Sequence, residues 1–258
     1  MAGQMMVRAK KHLGQHFLRE THYAQELARR LEGKDCEGIL EVGPGTGVLT
    51  HFLLQKELPL WATEIDRESI LYLTEHFPQL GNRLLPADFL QLDLDRHLPS
   101  SFALVGNFPY HISNQIVFRM LEYRERIPEM VGMFQKEVAE RLVAGPGSKR
   151  YGILSVWLAL FYRGEYCFTV PPEAFTPPPK VQSAVVRFLR RDQVVLPCSD
   201  AALRRILKTA FNQRRKTLRN ALKPLNLPPE ALSPEEWGLR AEQLPPQTFV
   251  ALAQKIPQ

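Results

Sequence analysis

The sequence predicts an α/β protein: a mostly parallel, doubly wound sheet followed by a small all-helical C-terminal domain. Three observations lead there. Short apolar runs alternate with amphipathic stretches through most of the chain. A glycine turn, "GPGTG", joins the first of those runs to the stretch after it. Beyond Pro197 the pattern becomes purely helical.

The elements follow in order. Tyr23, Leu27, Ala28 and Leu31 share one face of a helix over "THYAQELARRLE". "GILEV" reads as a buried strand, and "TGVLTHFLLQK" as the helix after the glycine turn. "PLWATEI" is a second strand, followed by a helix from about Glu68 to Phe77. "NRLLPADFL" reads as a third strand ending near Asp88, and "FALVG" as the fourth, leading to a helix over "SNQIVFRMLEY". "EMVGMFQ" and "KEVAERLV" make the fifth strand and its helix. "FYRGEYCFTV" and "SAVVRFLR" are two more strands, joined by a proline-rich loop. The domain boundary is expected near residues 192–199, with a first domain over 1–195 and a helical one over 196–258.

The chain has 258 residues, 45% of them hydrophobic, enough for one large domain or one domain and a small one. No apolar run reaches the roughly 18 residues of a membrane-spanning helix. The N-terminus is basic but lacks the apolar core of a secretion signal. Cys36, Cys167 and Cys198 are few and scattered, which fits a reducing cytoplasm rather than a disulfide framework. The formal charge is +6. The surplus lies in the C-terminal third, where residues 171–258 carry 14 Lys and Arg against 7 Asp and Glu, which suggests a polyanionic partner.

In an open α/β sheet, ligands bind outside the carboxyl ends of the strands. Gly43 lies there, in a turn whose backbone can approach a ligand without a Cβ in the way. Glu64, at the end of the second strand, is placed to accept both hydroxyls of a ribose, and Asp88, closing the third, to meet an adenine amino group. The turn reads G-x-G-x-G rather than the G-x-G-x-x-G of dinucleotide folds, so S-adenosyl-L-methionine suits the set better than a nicotinamide cofactor. The fourth strand runs into Asn107-Phe108-Pro109-Tyr110. An exocyclic amine is a poor nucleophile because its lone pair is delocalised into the ring. Asn107 and a backbone carbonyl stiffened by Pro109 can accept its hydrogens and aim the lone pair, while Tyr110 offers a stacking face. A second aromatic, Phe175, sits on the stiff segment "AFTPPPK".

"HLGQHFL", "EVGPGTGVLT", "EID", "GNFPYHIS", "MFQKEVAERLVAGPGSKRYGILSV" and "PPEAFTPPPKVQSAVVRF" resemble the ribosomal RNA adenine N6,N6-dimethyltransferase family, above all its bacterial small-subunit branch. The resemblance implies a Rossmann-like S-adenosylmethionine-dependent methyltransferase that dimethylates two adjacent adenosines in the 3′-terminal hairpin of 16S ribosomal RNA. It implies a role in small-subunit maturation, on an immature 30S particle, and kasugamycin resistance when the methylation is lost; no obligate protein partner is evident in the sequence, and a monomer is expected. It places His16, Leu18, Gly43, Glu64, Asp88 and Asn107 at the donor, and Phe175 against the target base, here expected to be sandwiched with Tyr110. His16 stands where the family usually has Asn, Phe108 replaces an aliphatic residue, and His111 replaces an Asn. His12 and His16, four residues apart, have no third ligand in the sequence, so no metal site is expected.

"LRRILKTAFNQRRKTLRNALK" carries eight cations and no acid, with a break expected at Asn212-Gln213. Arg204, Lys208, Arg214, Arg215, Lys216 and Arg219 are its candidate phosphate contacts. Two other readings stand beside the small-subunit enzyme. One is a ribosome assembly or transcription factor on the same fold, without turnover. The other is the related large-subunit methyltransferase.

Overall fold

In this computed structural model the described residues are 7–10, 13–192 and 194–256; His12 lies outside them. The chain divides into two compact units, one of residues 1–139 and 164–190, the other of residues 140–163 and 191–258.

The first unit opens with β1 (Phe17–Leu18) and α1 (Thr21–Arg30). The repeating part then runs β2 (Gly38–Val42), α2 (Val48–Leu53), β3 (Leu60–Glu64), α3 (Arg67–His76), β4 (Leu84–Pro86), α4 (Leu94–His97), β5 (Phe102–Asn107), α5 (Ser113–Glu122), β6 (Glu129–Gln135) and α6 (Lys136–Leu142). After α7 (Ile153–Phe161) come β7 (Tyr162–Val170), β8 (Phe175–Thr176) and β9 (Ser183–Arg190). The main sheet is ordered β4-β3-β2-β5-β6-β9-β7. Strands β4, β3, β2, β5 and β6 are parallel, and β9 runs antiparallel to β6. The predicted α/β sheet is therefore present.

Its central strands are apolar runs because both faces are covered: every residue of β2 is buried. The chain steps outward from β2 through β3 to β4, then returns to place β5 on the other side of β2. That reversal opens a crevice at the carboxyl ends of β2 and β5. The third predicted strand is shorter than expected. It stops at Pro86, and Asp88 turns the chain by accepting from the Leu90 amide at 2.9 Å.

The second unit contains α7, α8 (Asp200–Asn212), α9 (Leu218–Ala221), α10 (Pro234–Gly238) and α11 (Pro246–Ala253). A boundary near residue 195 leaves residues 140–163 in the first domain, whereas their packing groups them with the helices. Helix α7, "ILSVWLALF", is apolar nearly all round, so it has to be buried among other elements. It packs on α8 and α11, and Tyr151 just before it meets Phe211, which in turn meets Phe249. Helix α8 ends at Asn212, so the basic segment is broken where the sequence suggests. Among the described residues no helix is long and apolar enough to cross a membrane.

Candidate active site

One cleft at the crevice brings together His16, Gly43, Glu64, Asp88, Asn107, Pro109 and Tyr110. All belong to the first unit. Gly43 has φ of +70°, a conformation that side-chain-bearing residues rarely adopt, and bare backbone therefore faces the cleft. Glu64 is 5% exposed. Its Oε1 accepts from the amides of Ile65 at 2.8 Å and Asp66 at 2.9 Å, and its Oε2 from Gly45 at 3.1 Å. Burial pushes the Glu64 carboxyl above the usual carboxylate range, and the three amides work the other way. Asp66 caps α3 through Ser69 and pairs with Lys10 of the N-terminal segment. Burial opposes its ionisation, but Lys10 and Ser69 outweigh burial and hold it low.

Behind the turn, Glu41 is 1% exposed and accepts from Thr50 Oγ1 at 2.7 Å. Burial pushes its carboxyl up to about 8, against the Thr50 bond and with the help of the Glu64 charge. Ile65, 51% exposed, adds an apolar wall to the cleft beside Glu64.

At the end of β5, Asn107 Nδ2 donates to the His16 carbonyl at 3.0 Å. That bond assigns the amide orientation and leaves Oδ1, to which nothing donates among the described residues, as a free acceptor. The Tyr110 hydroxyl shares a hydrogen bond of 2.6 Å with Ser183 Oγ, and burial raises the phenol's pKa while that bond lowers it. Phe108 borders the cleft but its side chain is buried, 1% exposed. It fills a slot over Gly106 and Gly132 and packs edge-on against Phe134 at 5.1 Å. The exchange of an aliphatic residue for Phe is thus absorbed in the core. His111 lies close to Gly14, whose φ is +59°.

Two expected residues are elsewhere. Leu18 is 7% exposed and lines only a smaller recess beside Glu41 and Gly43. Phe175 is 2% exposed, and the expected sandwich with Tyr110 is not formed. The β1–β8 ladder sets Phe175 opposite Leu18, and both side chains enter the core with Ala24, Leu27 and Val170. The ring stacked on Tyr110 is His16, with centroids 5.4 Å apart and planes at 27°. The sequence carries no signal for this contact, nor for Ser183, because both come from elements far away in the chain.

In the second unit, Arg204, Lys208, Arg215, Lys216 and Arg219 are exposed. Arg214 differs: it is half-buried, with Nε 3.5 Å from Glu242 and Nη2 donating to the Ser148 carbonyl at 3.3 Å. It ties the unit together rather than standing free for a phosphate.

A family model described as "Ribosomal RNA adenine dimethylase" matches residues 6–239. The chain belongs to this family. As an RNA adenine dimethylase it is an enzyme, and a turnover-free factor on the same fold is not favoured. The dimethylase is 49% identical over 251 residues to "Ribosomal RNA small subunit methyltransferase A" of Flavobacterium johnsoniae, spanning 97% of this chain and 96% of that one. To the protein of the same name from Parabacteroides distasonis it is 50% identical over 250 residues, at 96% and 93% coverage. Among solved structures, a dimethyladenosine transferase from Plasmodium falciparum aligns with a TM-score of 0.79 at 26% identity, over 92% of this chain and 96% of that one. The 23S rRNA methyltransferase ErmE aligns with a TM-score of 0.70 at 27% identity, over 94% and 100%.

The cleft of the dimethylase fits the donor its family and fold imply. A buried carboxylate with three acceptor sites filled by amides keeps one on Oε2, which suits a ribose hydroxyl. Bare backbone at Gly43 admits close approach, and Asp88 offers an acceptor for an amine.

Proposed function

We propose that the protein dimethylates two adjacent adenosines at N6 in the 3′-terminal hairpin of small-subunit ribosomal RNA, with S-adenosyl-L-methionine as methyl donor. It does so in the cytoplasm, as a monomer, on an immature 30S particle. The observation that carries this reading is Asn107: its Nδ2 is tied down and its Oδ1 is free, in the same cleft as Glu64 and Asp88.

When bound, S-adenosyl-L-methionine supplies a methyl group on a sulfonium sulfur, which leaves readily. Glu64 would hold the ribose and Asp88 the adenine of that donor. Asn107 Oδ1 and the Phe108 carbonyl accept the amino hydrogens of the target, drawing its nitrogen toward tetrahedral geometry with the lone pair facing the methyl. Tyr110 holds the flipped base by its face. Its hydroxyl is fixed by Ser183, so the ring enters the reaction already oriented. The surplus proton on nitrogen passes to water after transfer. The exposed cations of α8, α9 and the turn between them meet phosphates, which position an RNA without reading its sequence.

Small-subunit over large-subunit specificity is supported by the two relatives near 50% identity, against 27% for ErmE. Mass analysis of adenosines from both subunits after treatment tests it. Two dimethyladenosines per small-subunit RNA are expected, and methylation of large-subunit RNA alone would refute it.

A further inference from the structure

His16 makes three contacts that meet at the acceptor half of the cleft. Its carbonyl accepts from Asn107 Nδ2 at 3.0 Å. Its ring lies over Tyr110, 5.4 Å between centroids and 27° from parallel. Its Nδ1 is 2.7 Å from the Pro177 carbonyl, and since a carbonyl only accepts, Nδ1–H is the donor. The ring is therefore held at its edge by the loop after β8 while one face lies over Tyr110.

This arrangement limits where a base can go. A base inserted between the two rings would need them roughly 7 Å apart, twice the ~3.4 Å spacing of stacked bases. The observed offset pair is too close for that, and it falls in the range of a stable aromatic contact. One face of Tyr110 is thus taken, so a base that stacks on this ring has only the other face to use. Ser183 fixes the Tyr110 hydroxyl, so rim and face are both restrained.

We infer that His16 is a positioning residue for the target adenine: it buttresses the closed face of Tyr110 so that the base stacks on the other face, and its carbonyl turns the Asn107 amide oxygen toward the amine. The inference rests on the proposed adenine methylation, and it moves the His16 side chain from the donor side, where the family resemblance puts this position, to the acceptor side. It also gives the loop around Pro177 a role: the loop reaches the acceptor motif through His16 rather than through Phe175.

The two contacts of His16 separate cleanly. The bond to Asn107 uses backbone and survives substitution, while the buttress uses the ring. His16→Ala should therefore lower kcat on immature small subunits by about tenfold, near the full worth of one aromatic pair, with the affinity for S-adenosyl-L-methionine unchanged. His16→Phe, which keeps a ring but loses the bond to Pro177, should recover most of that loss; His16→Leu should not. Fluorine NMR on fluorotyrosine-labelled protein, with the Tyr110 signal assigned through Tyr110→Phe, reads the buttress without any RNA. That signal should narrow in His16→Ala and not in His16→Phe. An unchanged Tyr110 signal in His16→Ala would overturn the inference even if the parent methylated no subunit at all, whereas an inactive parent with the expected NMR response would overturn the substrate reading alone. Parental kcat in His16→Ala, or a loss of donor affinity in step with kcat, would also overturn it, the latter by returning the side chain to the donor site.

Discussion

Replacing Gly132 with Ala should damage acceptor positioning from inside the sheet. Gly106 of β5 and Gly132 of β6 are register partners, and the slot they leave is filled by Phe108. A Cβ on Gly132 would lie 2.2 Å from Phe108 Cε2 and 2.8 Å from Phe134 Cε2. Neither ring has room to give, since both are fully buried. To regain ordinary contact at 3.4–4 Å from a start of 2.2 Å, the Phe108 ring must retreat by about 1.2–1.8 Å, and a misplacement of even ~1 Å can cost on the order of a hundredfold in rate when it reaches reacting groups. It does reach them, because Phe108 lies between Asn107 and Pro109 in the chain. Overpacking should also destabilise the fold by about 1–3 kcal/mol. Urea unfolding, donor titration and steady-state methylation of small subunits measure the three quantities separately. Stability and kcat should fall while donor affinity holds, because Glu64 and Gly43 stand on other strands. Phe108→Leu, which restores the aliphatic residue usual in the family, should relieve the clash and recover kcat in the double variant. Parental kcat in Gly132→Ala, or no recovery in the double variant, would refute the reasoning.

Further outcomes follow from the same geometry. Glu64→Ala should weaken S-adenosyl-L-methionine binding by about one to two orders of magnitude, the worth of a charged hydrogen bond at about 1.5–3 kcal/mol, with the fold intact; isothermal titration checks both. Folded Glu41 keeps its proton up to about pH 8, while the unfolded chain releases it near the ordinary value of 4.5. Its contribution to stability is therefore complete below 4.5 and is lost as pH rises toward 8, so Glu41→Gln should flatten that part of the stability profile measured by urea unfolding. Replacing Arg215, Lys216 and Arg219 with Glu should weaken subunit binding and reduce its salt slope by about three, with donor affinity untouched; binding measured across a salt series decides this. Phe175→Ala should cost about 3–5 kcal/mol of stability as a buried-aromatic deletion, and chemical denaturation showing no loss would return Phe175 to the cleft.

Much of the fold was legible because each central strand has its local cause in the chain. "GILEV", "EMVGMFQ" and "SAVVRFLR" are mostly apolar runs at strand length, and the structure gives them as Gly38–Val42, Glu129–Gln135 and Ser183–Arg190. Helix α7 was missed for the same physical reason. "ILSVWLALF" is apolar on nearly every side, so it shows no 3.6-residue period, and its length alone does not separate helix from strand. That omission also displaced the domain boundary, since a buried helix goes wherever other helices cover it.

Which strand-end residues line the cleft could be read because strand ends are local features. Glu64 and Asp88 needed only the sheet to be right. The side of the cleft around Asn107 and Tyr110 depends on contacts between distant elements, and a local reading does not supply those partners. A proline-stiffened Phe near an Asn-Phe-Pro-Tyr motif suggests two aromatic faces. Yet which way a side chain points on a two-residue strand depends on its pairing register, and a shift of one residue exchanges the faces. The observed register, Leu18 opposite Phe175, sends Phe175 inward. The same ladder starts one residue after His16, so the pairing that buries Phe175 also carries His16 to the cleft. The expected sandwich of a base between Tyr110 and Phe175 therefore fails on register, because the ladder between β1 and β8 turns Phe175 inward and sets His16 beside Tyr110.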